Sequence, residues 1–485
     1  MRHLVHASRL ALTASLAGAL AACTVGPNYV RPTAPTPTVF KEAQVPSNTP
    51  WRQAQPSDTA DRGDWWSMFN DPVLDGLEKR VEISNQNIAA AAAAYDQARA
   101  LVDESRASLF PTVAGSLSAT RSLSGGGQVV GGFVNSGAGA QNRFAATVTG
   151  SWDADLWGRI KRTVEANKAT AQASAADLAN ARLSAQSQLA IAYFGLRVTD
   201  ELKTLLTDTV TAYQKAVDLA QNRYDSGVIA RADVITAQTQ LQAAQAQLVD
   251  VDVSRAQNEH AIALLIGAAP ADLTIAAVKL TTAVPAAPVI VPSDLLERRP
   301  DIASSERQVA AANAQIGVAT AAYFPSLTLS GSAGSASSSI GKLFSAGTNT
   351  WSIGPTLAET LLDFGARKAR VREARALHAE RTAQYRQTVL GAFQQVEDQL
   401  AALRVYADEA KIREANTASA RQAEALALNR YKAGQVDYTT VITAQAQSLT
   451  AQQNQLTLMR QRLTASITLV QALGGGWTTA QLPKV

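Results

Sequence analysis

The sequence predicts a membrane α+β fold made of two copies of one unit, in which two β-strands lead into two very long helices. Three observations predict it: a duplicated segment, four stretches of apolar–polar alternation, and two Pro-free stretches of about 67 residues rich in helix-forming side chains. Composition agrees, because 94 of the 485 residues are Ala, and Ala buries too little area for a thick core. Long helices that meet along narrow seams suit this composition.

Residues 1–22 predict a signal peptide. Arg2 and Arg9 precede an apolar run that is too short to span a bilayer, and the first acidic residue is Glu42. The run ends in Leu-Ala-Ala before Cys23, the only cysteine of the chain, and this pattern resembles the lipobox of bacterial lipoproteins. The resemblance implies lipid attachment, including palmitate, at Cys23 and transfer to the outer membrane; a buried structural cysteine is the alternative.

Residues 23–64 are rich in Pro and predict a lipid-anchored tether.

The rest of the chain argues against several function classes. No later segment predicts a transmembrane helix, so any spanning is expected by strands. After the leader, 42 basic and 40 acidic residues remain without a dense basic run, which argues against nucleic acid as a partner. Neither His260 nor His378 has a neighbouring His or Cys at the spacing of a metal site, and a Ser-His-Asp arrangement would need more than these residues offer. No enzyme activity, metal site or cofactor other than the lipid is therefore predicted.

An internal duplication gives the domain organisation. Residues 222–240 and 429–447 are identical at ten of nineteen positions, with an offset of 207. We place repeat 1 at 65–280 and repeat 2 at 293–477, with a linker at 281–292 and a tail at 478–485. Further landmarks match Trp157 with Phe364 and Gly267 with Gly474 at the same offset, and Phe110 with Phe324 at an offset of 214. Constant spacing predicts rigid helices of set length.

In each repeat, helices are predicted to come first and a β-hairpin to follow, over residues 112–156 and 326–361. Four strands of about 10 residues with a period of two are typical of transmembrane β-strands, with one face to lipid and the other to water. A half-buried sheet in a soluble domain is the alternative. The Gly- and Ser-rich segments 121–143 and 335–350 predict loops at the cell exterior.

Long helical hairpins follow, predicted over residues 158–267 and 365–474. Each first helix of about 67 residues is a rod of roughly 100 Å, and the hairpin tips contain Tyr224 with Gly227 and Tyr431 with Gly434. Four strands do not close a barrel, and open edges in lipid are costly. Identical subunits are therefore expected; a conduit favours three, although two would also close a filled barrel of eight strands.

Together these features resemble the TolC/OprM/NodT family of outer-membrane efflux proteins, in its lipoprotein branch. The resemblance rests on the lipobox and on motifs over nearly the whole mature chain: Gly26-Pro-Asn-Tyr-Val-Arg-Pro32, Trp65-Trp66, Phe69-Asn-Asp-Pro72, Arg298-Arg-Pro-Asp-Ile302 and two Asn-Arg-Tyr-x-x-Gly turns. It implies a homotrimeric channel of Gram-negative bacteria, with an outer-membrane β-barrel, a periplasmic α-helical barrel and a small mixed equatorial domain. Its implied partners are outer-membrane lipid, a periplasmic adaptor and an inner-membrane transporter, usually of the RND type.

The same resemblance implies a periplasmic gate at the hairpin tips. The candidates are Asp233, with Arg231 nearby, and Asp437, because the position that matches Asp233 in repeat 2 is Thr440 and departs from the family's acidic pattern. A symmetric ring of aspartates would attract cations and raise its own proton affinity. The alternative is that Asp233 only caps or solvates its helix.

Three functions are consistent with the sequence. The first is the outer-membrane channel of a tripartite pump that passively conducts drugs or other toxic small molecules. The same architecture suits the duct of a type I protein secretion system. A structural coiled-coil lipoprotein without a pore is the third, and the alternating strands argue against it.

Overall fold

The computed structural model describes residues 24–37, 40–42, 64–123, 128–130, 133–135, 140–280, 284–285 and 298–475. The signal peptide, Cys23, the tail and most of the inter-repeat linker lie outside the described residues. Repeat 1 contains a 3-10 helix (Trp65–Phe69), α1 (Pro72–Ser84), α2 (Gln86–Ala107), β1 (Thr112–Ser122), β2 (Gln128–Val130), β3 (Phe133–Asn135), β4 (Gln141–Ala154), α3 (Arg159–Asp225) and α4 (Arg231–Leu265). Repeat 2 contains α5 (Pro300–Ala321), β5 (Ser326–Ser337), β6 (Asn349–Ala358), α6 (Ala366–Lys432) and α7 (Tyr438–Ala472).

The two repeats match helix by helix. The duplicated helices α2 and α5 have 22 residues each, α3 and α6 have 67, and α4 and α7 have 35. At about 1.5 Å per residue, α3 and α6 are rods of roughly 100 Å. The long helices predicted from the Pro-free stretches are thus confirmed.

One antiparallel sheet joins the repeats, in the order β1-β4-β5-β6. Its register places Val148 beside Gly115 and Ala333, and Thr147 beside Ser116 and Gly334. One face of the sheet is therefore apolar and the other polar or small, as the alternation predicts. The strands β1 and β6 are its edges. Between β1 and β4, the segment predicted as a loop also contains the short β2–β3 hairpin.

The segment predicted as a tether is docked where it is described. Arg162, which is buried on α3, donates three hydrogen bonds of 3.0–3.2 Å to residues 25–28. Asn313 of α5 donates to the same segment at 3.0 Å. Further along, Phe40 is buried against Phe393 of α6. This N-terminal strap (24–37 and 40–42) has no regular secondary structure, but its contacts reach both repeats.

The middle of α3 carries the largest hydrophobic cluster. Helix α1 and the segment after α4 pack there against side chains of α3, α4 and α7. Arg197 and Arg255 both pair with the buried Asp200, at 3.4 and 2.8 Å, and both donate to carbonyl oxygens of residues 275–276. This buried network fixes the chain that leads toward the inter-repeat linker.

One carboxyl in this region is buried without a compensating partner among the described residues. Glu78 of α1 is fully buried, and neither of its oxygens has a hydrogen-bond partner within those ranges. Burial, reinforced by the nearby charge of Asp75, raises the pKa of Glu78 to about 9. The side chain is therefore protonated at neutral pH.

The two 22-residue helices differ in how they are covered. Helix α5 lies between α3 and α6 and is buried along most of its length, whereas α2 packs mainly against α3. Within the described part of the chain, one face of α2 thus lacks the neighbour that α5 has.

Candidate functional site at the hairpin tips

The two hairpin tips have the same backbone turn. Gly227 and Gly434 have φ values of 72° and 70°, a conformation that favours glycine. In each turn the residue after the glycine donates its N–H to the carbonyl of the tip arginine, Arg223 or Arg430, at 2.9 Å. This pattern ends a helix by satisfying its last carbonyl groups. The duplicated motif therefore folds identically in both repeats.

The side chains at the two tips differ although their sequences match. Tyr431 is buried, with 2% of its surface exposed, whereas its duplicate Tyr224 is 39% exposed. The Tyr431 ring lies 5.3 Å from that of Tyr438, in a cluster that joins both hairpins. The two tyrosines occupy the same position of the duplicated motif, but they differ in solvent exposure because only Tyr431 packs in this cluster.

A clasp between the hairpins holds Tyr431 in place. The Arg223 guanidinium lies 4.6 Å from the centre of the Tyr431 ring, and its Nη1 donates to the Tyr431 carbonyl oxygen at 2.5 Å. A cation over an aromatic ring and a charge-assisted hydrogen bond both stabilise this contact. The Arg223–Tyr431 clasp therefore links the end of α3 to the end of α6.

Titration at the tip is dominated by burial. Burial raises the pKa of Tyr431; the charge of Arg223 lowers it and that of Asp233 raises it. Burial also raises the pKa of Tyr438 to about 12, with smaller effects from Tyr431 and Tyr213. These tyrosines are neutral at physiological pH, so charge at the tip comes from aspartate, arginine and lysine side chains, including Lys432 at the end of α6.

The gate candidates occupy different structural positions. Asp437 is the N-cap of α7, and its Oδ1 accepts from the Thr440 N–H at 3.1 Å and from the Thr440 hydroxyl at 2.9 Å. Arg231 is exposed at the first position of α4, and Asp233 is half-buried in the first turn. The N-cap of α4 is Ala230, which makes no side-chain cap. Asp233 therefore does not cap α4, whereas Asp437 caps α7.

Sequence reasoning missed Arg223 and Tyr438 as tip residues. Arg223 stands in the duplicated Asn-Arg-Tyr motif, which marked the turn but not the contact with the other repeat. Tyr438 aligns with Arg231, so the duplication gave no reason to single it out.

The described residues provide neither a metal site nor a membrane-spanning helix. None of their His, Cys, Asp and Glu side chains form a group of three or more that would hold a metal ion. No helix in the same ranges has the length and apolar character to cross a membrane.

Comparisons with known proteins agree with this architecture. The sequence model of the family described as outer membrane efflux protein matches residues 78–268 and 291–475. The chain is 30% identical over 473 residues to the antibiotic efflux pump outer membrane protein ArpC of Pseudomonas putida, covering 96% of this chain and 95% of that protein. The toluene efflux pump outer membrane protein TtgC, also of Pseudomonas putida, matches with the same identity, length and coverage.

A solved structure gives the same fold. The outer-membrane channel OprN superposes with a TM-score of 0.85 at 29% identity, covering 94% of this chain and all of that one. Both repeats are matched by the family model, and the relatives cover nearly the full length. The chain therefore belongs to the outer membrane efflux protein family.

Proposed function

We propose that three copies of this chain form a channel through the outer membrane, the exit of a tripartite pump for toxic small molecules. In this arrangement the four-stranded sheets close into a barrel of twelve strands, and the helical hairpins continue it into the periplasm. The observation that carries the proposal is the sheet, which has one apolar and one polar face and two edge strands, β1 and β6. In lipid, unpaired edges cost several kcal/mol per backbone group, and closure between copies removes them.

The cargo class follows from relatives rather than from a binding site. ArpC is named for antibiotic efflux and TtgC for toluene efflux. A passive duct needs no specific pocket, so the residues of this chain do not select a cargo. The names of the two relatives make antibiotics and organic solvents the proposed cargo. A periplasmic adaptor and an inner-membrane transporter of the RND type would supply it, and lipid on Cys23 would anchor each subunit.

We place the gate at the tips. The Arg223–Tyr431 clasp holds the two hairpins of one copy together, and Asp233 lies near enough for its charge to act on Tyr431. Asp233 and Asp437 would place negative charge at a narrow entrance, which favours cations. Arg231, exposed two residues before Asp233, would moderate that charge.

Reconstitution of the purified lipidated protein in planar bilayers tests the channel. We expect single-channel currents that favour cations, and reduced cation selectivity in Asp233→Ala and Asp437→Ala. Absence of any current would reject the channel. Unchanged current and selectivity in both variants would reject the aspartate gate alone.

A deletion strain tests the cargo. We expect greater sensitivity to antibiotics and toluene, restored by the wild-type gene. Unaltered sensitivity to every antibiotic and solvent tested would contradict the efflux role.

A further inference from the structure

The sheet-side end of α6 carries an excess of positive charge. Between residues 366 and 385 the chain has six Arg or Lys side chains and two Glu side chains. Lys368, Arg372 and Arg375 are exposed, and their charged groups have no hydrogen bond or ion pair with other described residues. Lys368 also lies in the first turn, where the helix dipole disfavours a cation. The stability of the helix therefore does not explain these charges.

The three cations lie on one face of the helix. At 3.6 residues per turn, the spacing of four and seven residues keeps Lys368, Arg372 and Arg375 within about 60° of one another. Glu373 and Glu380 lie at least about 80° away from them around the helix. We call these three side chains the basic stripe. Its charge is not neutralised by the acidic residues of its own helix.

The N-terminal strap follows the same face of α6 further along the helix. The Arg386 Nε donates to the Thr33 carbonyl oxygen at 3.0 Å, and Arg404 pairs with Glu42 at 2.6 Å. Lys368, Arg386 and Arg404 are 18 residues apart in turn, which is five complete helical turns, so they lie on one line along α6. The basic stripe therefore continues the line of the strap toward the sheet, where its side chains are exposed.

Two features place the start of α6 at the surface of the membrane in the proposed channel. The connection from β6 to α6 contains Leu361 and Leu362, which are 89% and 71% exposed. The Val25 N–H donates to the Trp157 carbonyl at 3.1 Å, where β4 passes into α3. Because β4 and β6 end level with each other in one sheet, the proposed lipid on Cys23 enters the bilayer at the height of these leucines.

The basic stripe then lies at the depth of the lipid headgroups. Lys368 and Arg375 are about 3 and 14 Å along the axis from the start of α6, and the headgroup layer on one side of a bilayer is about 5–8 Å thick. Side chains of a helix tilt toward its N-terminus, which here is toward the membrane. Their charged groups therefore reach the layer that contains the lipid phosphates.

We infer that the basic stripe binds the headgroup of an anionic phospholipid in the periplasmic leaflet of the outer membrane. Arg372 and Arg375 donate charge-assisted hydrogen bonds to its phosphate oxygens, and Lys368 adds a third positive charge. Leu361 and Leu362 pack against its acyl chains. The bound lipid and the lipid on Cys23 together fix the start of the long helices at the membrane surface. This inference rests on the proposed outer-membrane channel.

Electron spin resonance of spin-labelled lipids tests the site. The full-length lipidated protein would be reconstituted in phosphatidylcholine vesicles that contain labelled phosphatidylglycerol or labelled phosphatidylethanolamine. We expect the wild type to immobilise phosphatidylglycerol more strongly, because each cation near the headgroups strengthens binding of anionic lipid roughly fivefold. Lys368→Gln/Arg372→Gln/Arg375→Gln should lower this preference about fivefold or more.

Two matched variants separate this site from a general effect of charge. Lys368→Arg/Arg372→Lys/Arg375→Lys keeps the three charges and should keep most of the preference.

Removal of three exposed cations far from the sheet is the second control. Arg182→Gln/Lys215→Gln/Lys411→Gln changes side chains that lie about 35, 84 and 68 Å from the sheet-side ends of their helices. We expect this variant to bind phosphatidylglycerol as the wild type does. An equal loss of preference in this control would overturn the inference.

Salt and conductance complete the test. In about 1 M salt the Debye length falls to about 3 Å, so the wild type should lose its preference for phosphatidylglycerol. A preference that salt does not reduce, or one that persists in the glutamine variant of the basic stripe, would overturn the headgroup site. If those preparations still conduct ions in planar bilayers, the channel stands without the site. A wild type without conductance would overturn the channel on which the inference rests.

Discussion

Substitution of Arg223 by Ala tests whether the tip contact holds the channel shut. The change removes the hydrogen bond to the Tyr431 carbonyl and the cation over the Tyr431 ring. The hydrophobic cluster behind Tyr431 stays intact, because Arg223 is not part of it. We therefore expect looser tips in a folded protein.

The magnitude follows from the two contacts. A hydrogen bond to a charged group contributes about 1.5–3 kcal/mol, and a cation–π contact at an exposed site about 0.5–1 kcal/mol. Arg223 is half-buried, so solvent screening places the sum near the lower end. We expect a loss of about 2 kcal/mol per subunit, which shifts the closed-to-open equilibrium of each subunit's tip roughly 30-fold.

Open probability in planar bilayers is the measurement. Arg223→Lys keeps the charge without the planar guanidinium, so its effect should be intermediate. Arg182→Ala is the matched control, because Arg182 is exposed on the same helix about 60 Å from the tip. Unchanged open probability in Arg223→Ala, or an equal rise in Arg182→Ala, would refute the clasp as a gate element.

Three further predictions concern stability. Folding raises the pKa of Glu78 from 4.5 to about 9. Between these two pH values the unfolded chain releases this proton and the folded protein keeps it, so the wild type should lose up to roughly 1.4 kcal/mol of stability per pH unit. Glu78→Gln has no such proton and should not show this loss. Unfolding temperatures of both proteins at pH 5 and 8.5 measure this loss. A difference in unfolding temperature between wild type and Glu78→Gln that is the same at both pH values would contradict the prediction. Arg162→Ala should release the N-terminal strap to limited proteolysis, whereas Lys161→Ala, exposed one residue earlier, should not. Asp437→Ala removes the cap of α7 at a cost of about 1 kcal/mol, so amide exchange in its first turn should accelerate roughly fivefold. Asp233→Ala should leave exchange at the start of α4 unchanged, since Asp233 does not cap it.

Features with local or periodic causes could be predicted from the sequence. A lack of Pro and a high content of Ala and Gln predict the long helices, because helix propensity is a short-range property. Alternation predicts the strands, because side chains of a strand point to opposite faces in turn. The two glycines predict the tips, because each turn requires a positive φ.

The docking of the N-terminal strap could not be predicted from its local sequence. Its Pro content and lack of periodicity predict an extended tether; the described part has no regular secondary structure, and neither property indicates that it docks on the helices. Arg162 lies 134–137 residues from the acceptors that it binds. A partner at that separation leaves no periodic signal in either segment.

By itself, the sequence determined two copies of one unit, the length of every long helix and the shape of both tips. Only the tertiary structure decided that Tyr431 is buried while Tyr224 is exposed, that Arg223 binds across the repeats, and that Asp437 rather than Asp233 caps its helix. The physical reason is that helix lengths and tip turns depend on neighbours a few residues away, and the duplication can be read directly from the repeated sequence. The Arg223–Tyr431 clasp joins residues 208 positions apart, and identical motifs acquire different environments because different elements pack against them.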